Sequence, residues 1–188
     1  MTQGAKLRFL LWAPVIVLPL SNVLSAILIG AAWDLRSMLP WVVGAVLEEL
    51  FFRFFLLKKL LLDSARMRPV RAVILVSVLF AAMHLFNLRS GEAVFAVLVQ
   101  ASCAFCFGMW AGAAVWRTGS VLIPLLAHVL LNMTAFDGGP RLVPLAAGIL
   151  TLIAGLLLLF SSDGHTDSRD IPKQAAGESR PCPESDRQ

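Results

Sequence analysis

Apolar residues run along this chain in six long blocks, each closed by a short polar or charged interruption. The blocks are Leu7–Trp33, Leu39–Leu62, Val70–Leu88, Ala93–Trp116, Ser120–Phe136 and Leu142–Phe160. A helix needs about 20 mostly apolar residues to cross the hydrocarbon core of a bilayer. Helices are also the open-chain element that satisfies its own backbone in lipid. The pattern therefore predicts an all-α fold, a polytopic transmembrane helical bundle of about six spans over residues 1–160. From residue 161 onward the chain is rich in Ser, Asp, Pro, Arg and Gln, which predicts a polar, disordered cytoplasmic tail over 161–188.

Composition agrees with the blocks. Apolar residues make up 58% of the chain and charged ones 15%, with mean hydropathy +0.78. A soluble domain is nearer half apolar and a quarter charged. The apolar stretch after Lys6 and Arg8 is too long for the roughly 7–15-residue core of a cleaved signal peptide, so it reads as a retained first span.

The net charge of +4 does not indicate a nucleic-acid partner. Four basic residues in the tail (Arg169, Lys173, Arg180, Arg187) are outnumbered by six acidic ones, and the main basic cluster, Lys58–Arg71, lies in a loop between spans. With the N-terminus inside, twelve Lys and Arg residues fall on the cytoplasmic side against Arg36, Arg89 and Arg141 outside. That bias places both ends in the cytoplasm.

Several features call for no chemistry. Cys103 and Cys106 lie inside the fourth block and read as helix packing. Gly108 and Gly112 form a small-xxx-small pair suited to close helix approach. His165 and Cys182 fall in the tail and read as solvated.

The second block, by contrast, contains Glu48, Glu49 and Arg53 with apolar sequence on both sides. Each charge at a helix centre costs about 2.5–3.5 kcal/mol on insertion scales, very roughly 8–10 kcal/mol for three. Such residues face a bundle interior and mark function. Glu49 and Arg53 are four apart and can pair along one face; Glu48 is turned about 100° away and left without a local partner. The third block carries His84, which alone could be a hydrogen-bonder between helices. The fifth carries His128 and Asn132, four apart, either helix glue or a site. Together they supply a carboxylate and an imidazole to activate water, plus donors for an oxyanion. No serine or cysteine stands at helical spacing from a histidine and an acid.

Glu48-Glu49-x-x-x-Arg53, Phe80-x-x-x-His84 and His128-x-x-x-Asn132, in order and each within a span, resemble the CPBP family of glutamic intramembrane endopeptidases. That family includes CAAX prenyl endopeptidases, bacteriocin-processing enzymes and bacterial relatives. The resemblance covers roughly Leu39 to Phe136. It implies Glu48 as the base acting with His84 on water, His128 and Asn132 at the oxyanion, and Glu49 with Arg53 ordering the site. Zinc held by Glu, Glu, His and His is the metallopeptidase alternative. The lack of an HExxH pair, and Asn132 as a donor rather than a ligand, favour no metal and no cofactor.

The small size fits a branch of bacterial relatives that look like sorting proteases. The implied partners are membrane lipid and a protein substrate with a membrane-proximal C-terminal segment, at the bacterial inner membrane. Two other classes compete: a non-catalytic immunity or scaffold protein of the same fold, which would tolerate loss of Glu48 or His84, and a proton-coupled transporter. The blocks show no obvious inverted repeat, which counts against the transporter. Glu48, His84 and His128 are expected at middle to outer bilayer depth.

Overall fold

A computed structural model describes residues 2–30, 35–63, 68–134 and 142–161. The tail from 162 onward, with His165 and Cys182, lies outside the described residues, as does the Asp137–Arg141 break. No strand occurs among the described residues. The helices are α1 (Gln3–Ile29), α2 (Leu35–Glu49), α3 (Lys58–Asp63), α4 (Pro69–Met83), α5 (Val94–Thr118), α6 (Leu122–Met133) and α7 (Leu142–Phe160). A π-helical segment, Leu50–Leu57, joins α2 to α3 in one rod, and a 3₁₀ segment, His84–Ser90, extends α4. Six rods result, matching the six apolar blocks.

Four rods are long and apolar enough to cross a membrane: Gln3–Ile29, Pro69–Ser90, Val94–Thr118 and Val143–Phe160. The rod from Leu35 to Asp63 carries the charged residues. Of the block Ser120–Phe136, α6 covers Leu122–Met133, and positions 135–136 lie outside the described residues. α6 has 12 residues, or about 18 Å at 1.5 Å per residue, well short of a full crossing. Thr134, at φ −105° and ψ 0°, has already left the helix. Large apolar side chains such as Ile16, Leu47, Phe55, Leu98 and Leu150 are exposed, as a surface in contact with lipid tails requires.

α5 is the central helix. Every residue from Cys106 to Val115 is buried, with α4 packed on one side and α7 on the other. Lipid tails are as apolar as leucine, so close backbone approach has to hold these helices together. Gly108 and Gly112 provide it against α4: a Cβ added to them would lie 3.1 Å from Ser77 and 2.8 Å from Val73. On α7 a Cβ at Gly155 would come within 2.7 Å of the Trp110 backbone. Cys106 is buried in the same contact, beside Gly148.

Backbone groups left over by helix ends and prolines find partners on neighbouring rods. Pro14 has no N–H and cannot bond the carbonyl four residues before it. That carbonyl, of Leu10, instead accepts from the indole Nε1–H of Trp110, at 3.0 Å. Arg117, at the end of α5, caps α7. Its Nε–H donates to the Leu158 carbonyl at 2.7 Å, and its Nη2 to the carbonyl and hydroxyl of Ser161. A cation at a helix C-terminus also complements the macrodipole. Asn22 of α1 donates to the Leu131 carbonyl near the end of α6, at 3.1 Å.

Candidate active site

The acid pair closes α2. Glu49 is its last residue, and Arg53 lies inside the π-helical segment that follows. Both side chains are fully buried, and Nη1 of Arg53 is 2.9 Å from Oε1 of Glu49. The N–H vectors of Arg53 do not align on the carboxylate, so none of its three nitrogens makes a formed hydrogen bond, and Oε2 of Glu49 also lacks one. The guanidinium lies instead against aromatic rings, 4.1 Å from the Phe80 centroid, 5.4 Å from Phe107 and 5.9 Å from Phe52. An ion pair and cation–π contact therefore hold it.

His128 reaches this pair from α6. Its Nδ1–H donates to Oε1 of Glu49 at 2.9 Å, the oxygen that also faces Arg53. Phe107 and Phe80 flank the imidazole, with centroids at 4.9 and 5.8 Å. Since the carboxylate can only accept, the proton belongs on Nδ1, and Nε2 faces outward from the pair. Nε2 lies 3.8 Å from Oε2 of Glu48, whose side chain is 40% exposed. That separation is too long for a direct hydrogen bond and suits a bridging water.

His84 stands where α4 gives way to the 3₁₀ segment. Its backbone N–H turns to the carbonyls of Ala81 and Ala82 rather than to Phe80, four residues back. The imidazole Nδ1–H takes the Phe80 carbonyl at 3.0 Å. The neutral ring is thereby left with its lone pair on Nε2.

A cavity of about 140 Å³ lies within the bundle, with His84, His128 and Asn132 on its wall. Pro144, near the start of α7, also lines it, so it sits toward the end of the bundle opposite Arg117. Asn132 is partly committed: one Nδ2–H donates to the Trp41 carbonyl of α2 at 2.8 Å.

Glu49, Arg53 and His128 thus make one contact cluster with Glu48 at its edge, while His84 and Asn132 join through the cavity. No hydrogen bond or ion pair links Glu48 to His84; the histidine nearest Glu48 is His128. Sequence spacing identifies the Glu49–Arg53 pair but not the bond from His128 to Glu49, which spans 79 positions. It includes Phe80 in a motif but gives it no role, whereas the ring touches Arg53, His84 and His128.

The donor set does not fit the zinc alternative. No group of three or more His, Cys, Asp or Glu side chains stands close enough to hold a metal among the described residues. Oε1 of Glu49 is already shared by Arg53 and His128.

Helical rods with lipid-facing apolar surfaces around a buried cluster of carboxylate, guanidinium and imidazole define a polytopic membrane protein with a polar interior site. Residues 31–134 match the family model described as Type II CAAX prenyl endopeptidase Rce1-like. The chain belongs to that family, whose activity is intramembrane proteolysis of protein substrates. The matched region contains all six site residues. No curated protein and no solved structure matches the chain.

Proposed function

We propose that the protein is a glutamic intramembrane endopeptidase. It would hydrolyse a peptide bond near the C-terminus of a membrane-associated or exported protein, at the bacterial inner membrane. The observation that carries this reading is the approach of Glu48 to Nε2 of His128 at 3.8 Å, with the other ring nitrogen anchored on buried Glu49.

In this mechanism Glu48 takes a proton from a water as its oxygen attacks the scissile carbonyl carbon. The lone pair on Nε2 of His84 accepts the water's second hydrogen and orients it. The oxyanion receives an N–H from Nε2 of His128 in its imidazolium form, with Nδ1–H held on Glu49, and from the second N–H of Asn132. Collapse of the tetrahedral intermediate breaks the C–N bond, and Glu48 returns its proton to the leaving amine. Glu49 and Arg53 touch no reacting atom; they hold His128.

The cavity's position toward the start of α7, away from Arg117, Lys6 and the basic loop, favours a substrate presented from the extracytoplasmic half of the bilayer. A C-terminal sorting signal would be presented in that way.

The test is cleavage of C-terminal segments of exported proteins in strains with and without the gene, complemented by Glu48→Gln and His84→Ala. Both variants should insert normally and restore no cleavage. Cleavage by Glu48→Gln at the wild-type rate would remove Glu48 as the base.

A further inference from the structure

One polar pair at the cavity has no part in this chemistry. Asn87 lies three residues after His84 in the 3₁₀ segment. In a 3₁₀ helix residues three apart eclipse one another, so the two share one edge. Asn87 Nδ2–H donates to the Oε1 of Gln100, on α5, at 2.8 Å. Gln100 lines the same cavity as His84, His128 and Asn132.

That bond fixes which way the Gln100 amide faces. With Oε1 spent on Asn87, what remains is Nε2, which has two N–H donors and no partner among the described residues. Gln100 is exposed where it lines the cavity, so the cost of an unpartnered donor arises when substrate covers the amide and displaces the water around it. No lysine or arginine lines the cavity, so a neutral amide donor there suits a neutral acceptor better than a carboxylate.

We infer that Gln100 is a substrate-binding residue whose Nε2–H donates to a main-chain carbonyl of the peptide lying beside the scissile bond, with Asn87 holding the amide in that orientation. This rests on the proposed protease reading and deepens it. The cavity wall along α5 grips the polypeptide backbone in a sequence-independent way, and does so in the ground state and transition state alike.

Because the contact is to backbone, a sequence-degenerate probe suits the test. An internally quenched apolar dodecapeptide pool would be incubated with the full chain in lipid nanodiscs, for wild type, Gln100→Leu, Gln100→Glu and Asn87→Ala. Gln100→Glu keeps an acceptor for Asn87 and loses the N–H donors, which separates substrate binding from a tie between helices. Both Gln100 variants should raise KM about tenfold with kcat within about twofold, as loss of uniform binding through one hydrogen bond requires. Asn87→Ala should raise KM less, by about threefold, since the amide is retained and only its orientation freed. Gln100→Glu with wild-type KM, alongside an impaired Gln100→Leu, would make the pair a structural tie and overturn the inference. A parallel measurement keeps the two readings apart: binding of the same pool, by fluorescence polarisation, to Glu48→Gln with and without Gln100→Glu. About tenfold weaker binding in the double variant supports the Gln100 contact whatever role Glu48 has, and equal binding overturns it.

Discussion

Replacing Arg53 with methionine tests how the buried cluster is held. The substitution keeps an unbranched apolar side chain among Phe52, Phe80 and Phe107 but strands the Glu49 carboxylate, which is 1% exposed. Breaking a buried ion pair by removing one partner costs about 3–5 kcal/mol. Loss of the desolvated cation–π contact to Phe80, at 4.1 Å and worth about 2 kcal/mol, puts the total cost toward the upper end of that range. No formed hydrogen bond to Arg53 is lost, so the destabilisation comes from the stranded charge and the lost cation–π contact. Glu49→Gln in the same chain removes that charge and still offers His128 Nδ1–H a carbonyl acceptor. The double variant should therefore be more stable than Arg53→Met alone, by about 1–3 kcal/mol of coupling. Unfolding by SDS in mixed micelles, followed by tryptophan emission, reads this directly, with fully buried Trp110 as reporter. Additive single and double variants, or an Arg53→Met protein as stable as wild type, would refute the reasoning.

Trp110→Phe should cost about 1–3 kcal/mol by leaving the Leu10 carbonyl without a donor. Adding Pro14→Ala, which returns a backbone N–H to that carbonyl, should recover part of the loss in the same unfolding assay. Gly155→Ala should destabilise by about 1–3 kcal/mol, because its Cβ meets Trp110 backbone at 2.7 Å and α7 has to move off α5. Asn132→Ala should lower kcat roughly 10²–10³-fold, as expected for one lost oxyanion donor, with a measurable stability loss from the broken bond to Trp41. Activity should persist after exhaustive chelation and dialysis; loss that zinc restores would favour the metallopeptidase reading. Reporter fusions after Arg36 and after Arg66 should report opposite faces of the membrane.

The rods were legible because each is a long apolar block and lipid permits few alternatives. Their internal changes of turn type were not. Within Leu50–Leu57 every residue but Arg53 is apolar, so no period leaves a trace, and His84–Ser90 with seven residues is too short for one to show. In the fifth block the departure of Thr134 from helical geometry left no mark in the sequence, because Ala135 and Phe136 continue the apolar run. Glu49 with Arg53 was readable from i,i+4 spacing. The anchoring of His128 on Glu49 was not, because it depends on how α6 packs against α2. Arg117 was legible as a charge at a membrane face, but its capping of α7 needed coordinates. Asn87 and Gln100 went unnoticed since each alone is an ordinary polar residue near a helix end.

Two of the three motif helices change turn type beside site residues. Glu49 is the last residue before the π-helical turns, and His84 is the first of the 3₁₀ turns. An α-helix in lipid spends its internal carbonyls on its own N–H groups, so a side chain on it has little backbone to bond. At His84 the tighter turn redirects the N–H to Ala81, and the Phe80 carbonyl becomes available to fix the imidazole tautomer. At Arg53 the wider turns of the π segment, a feature often found at functional sites, coincide with a guanidinium enclosed by three phenylalanines. Around these local departures α5 is packed by glycines at backbone contact distance on both sides. A rigid scaffold of this kind suits a site whose donors must be in place before charge develops. The geometry thus couples two requirements: tight small-residue packing fixes where the rods stand, and short non-α segments set where the polar side chains point.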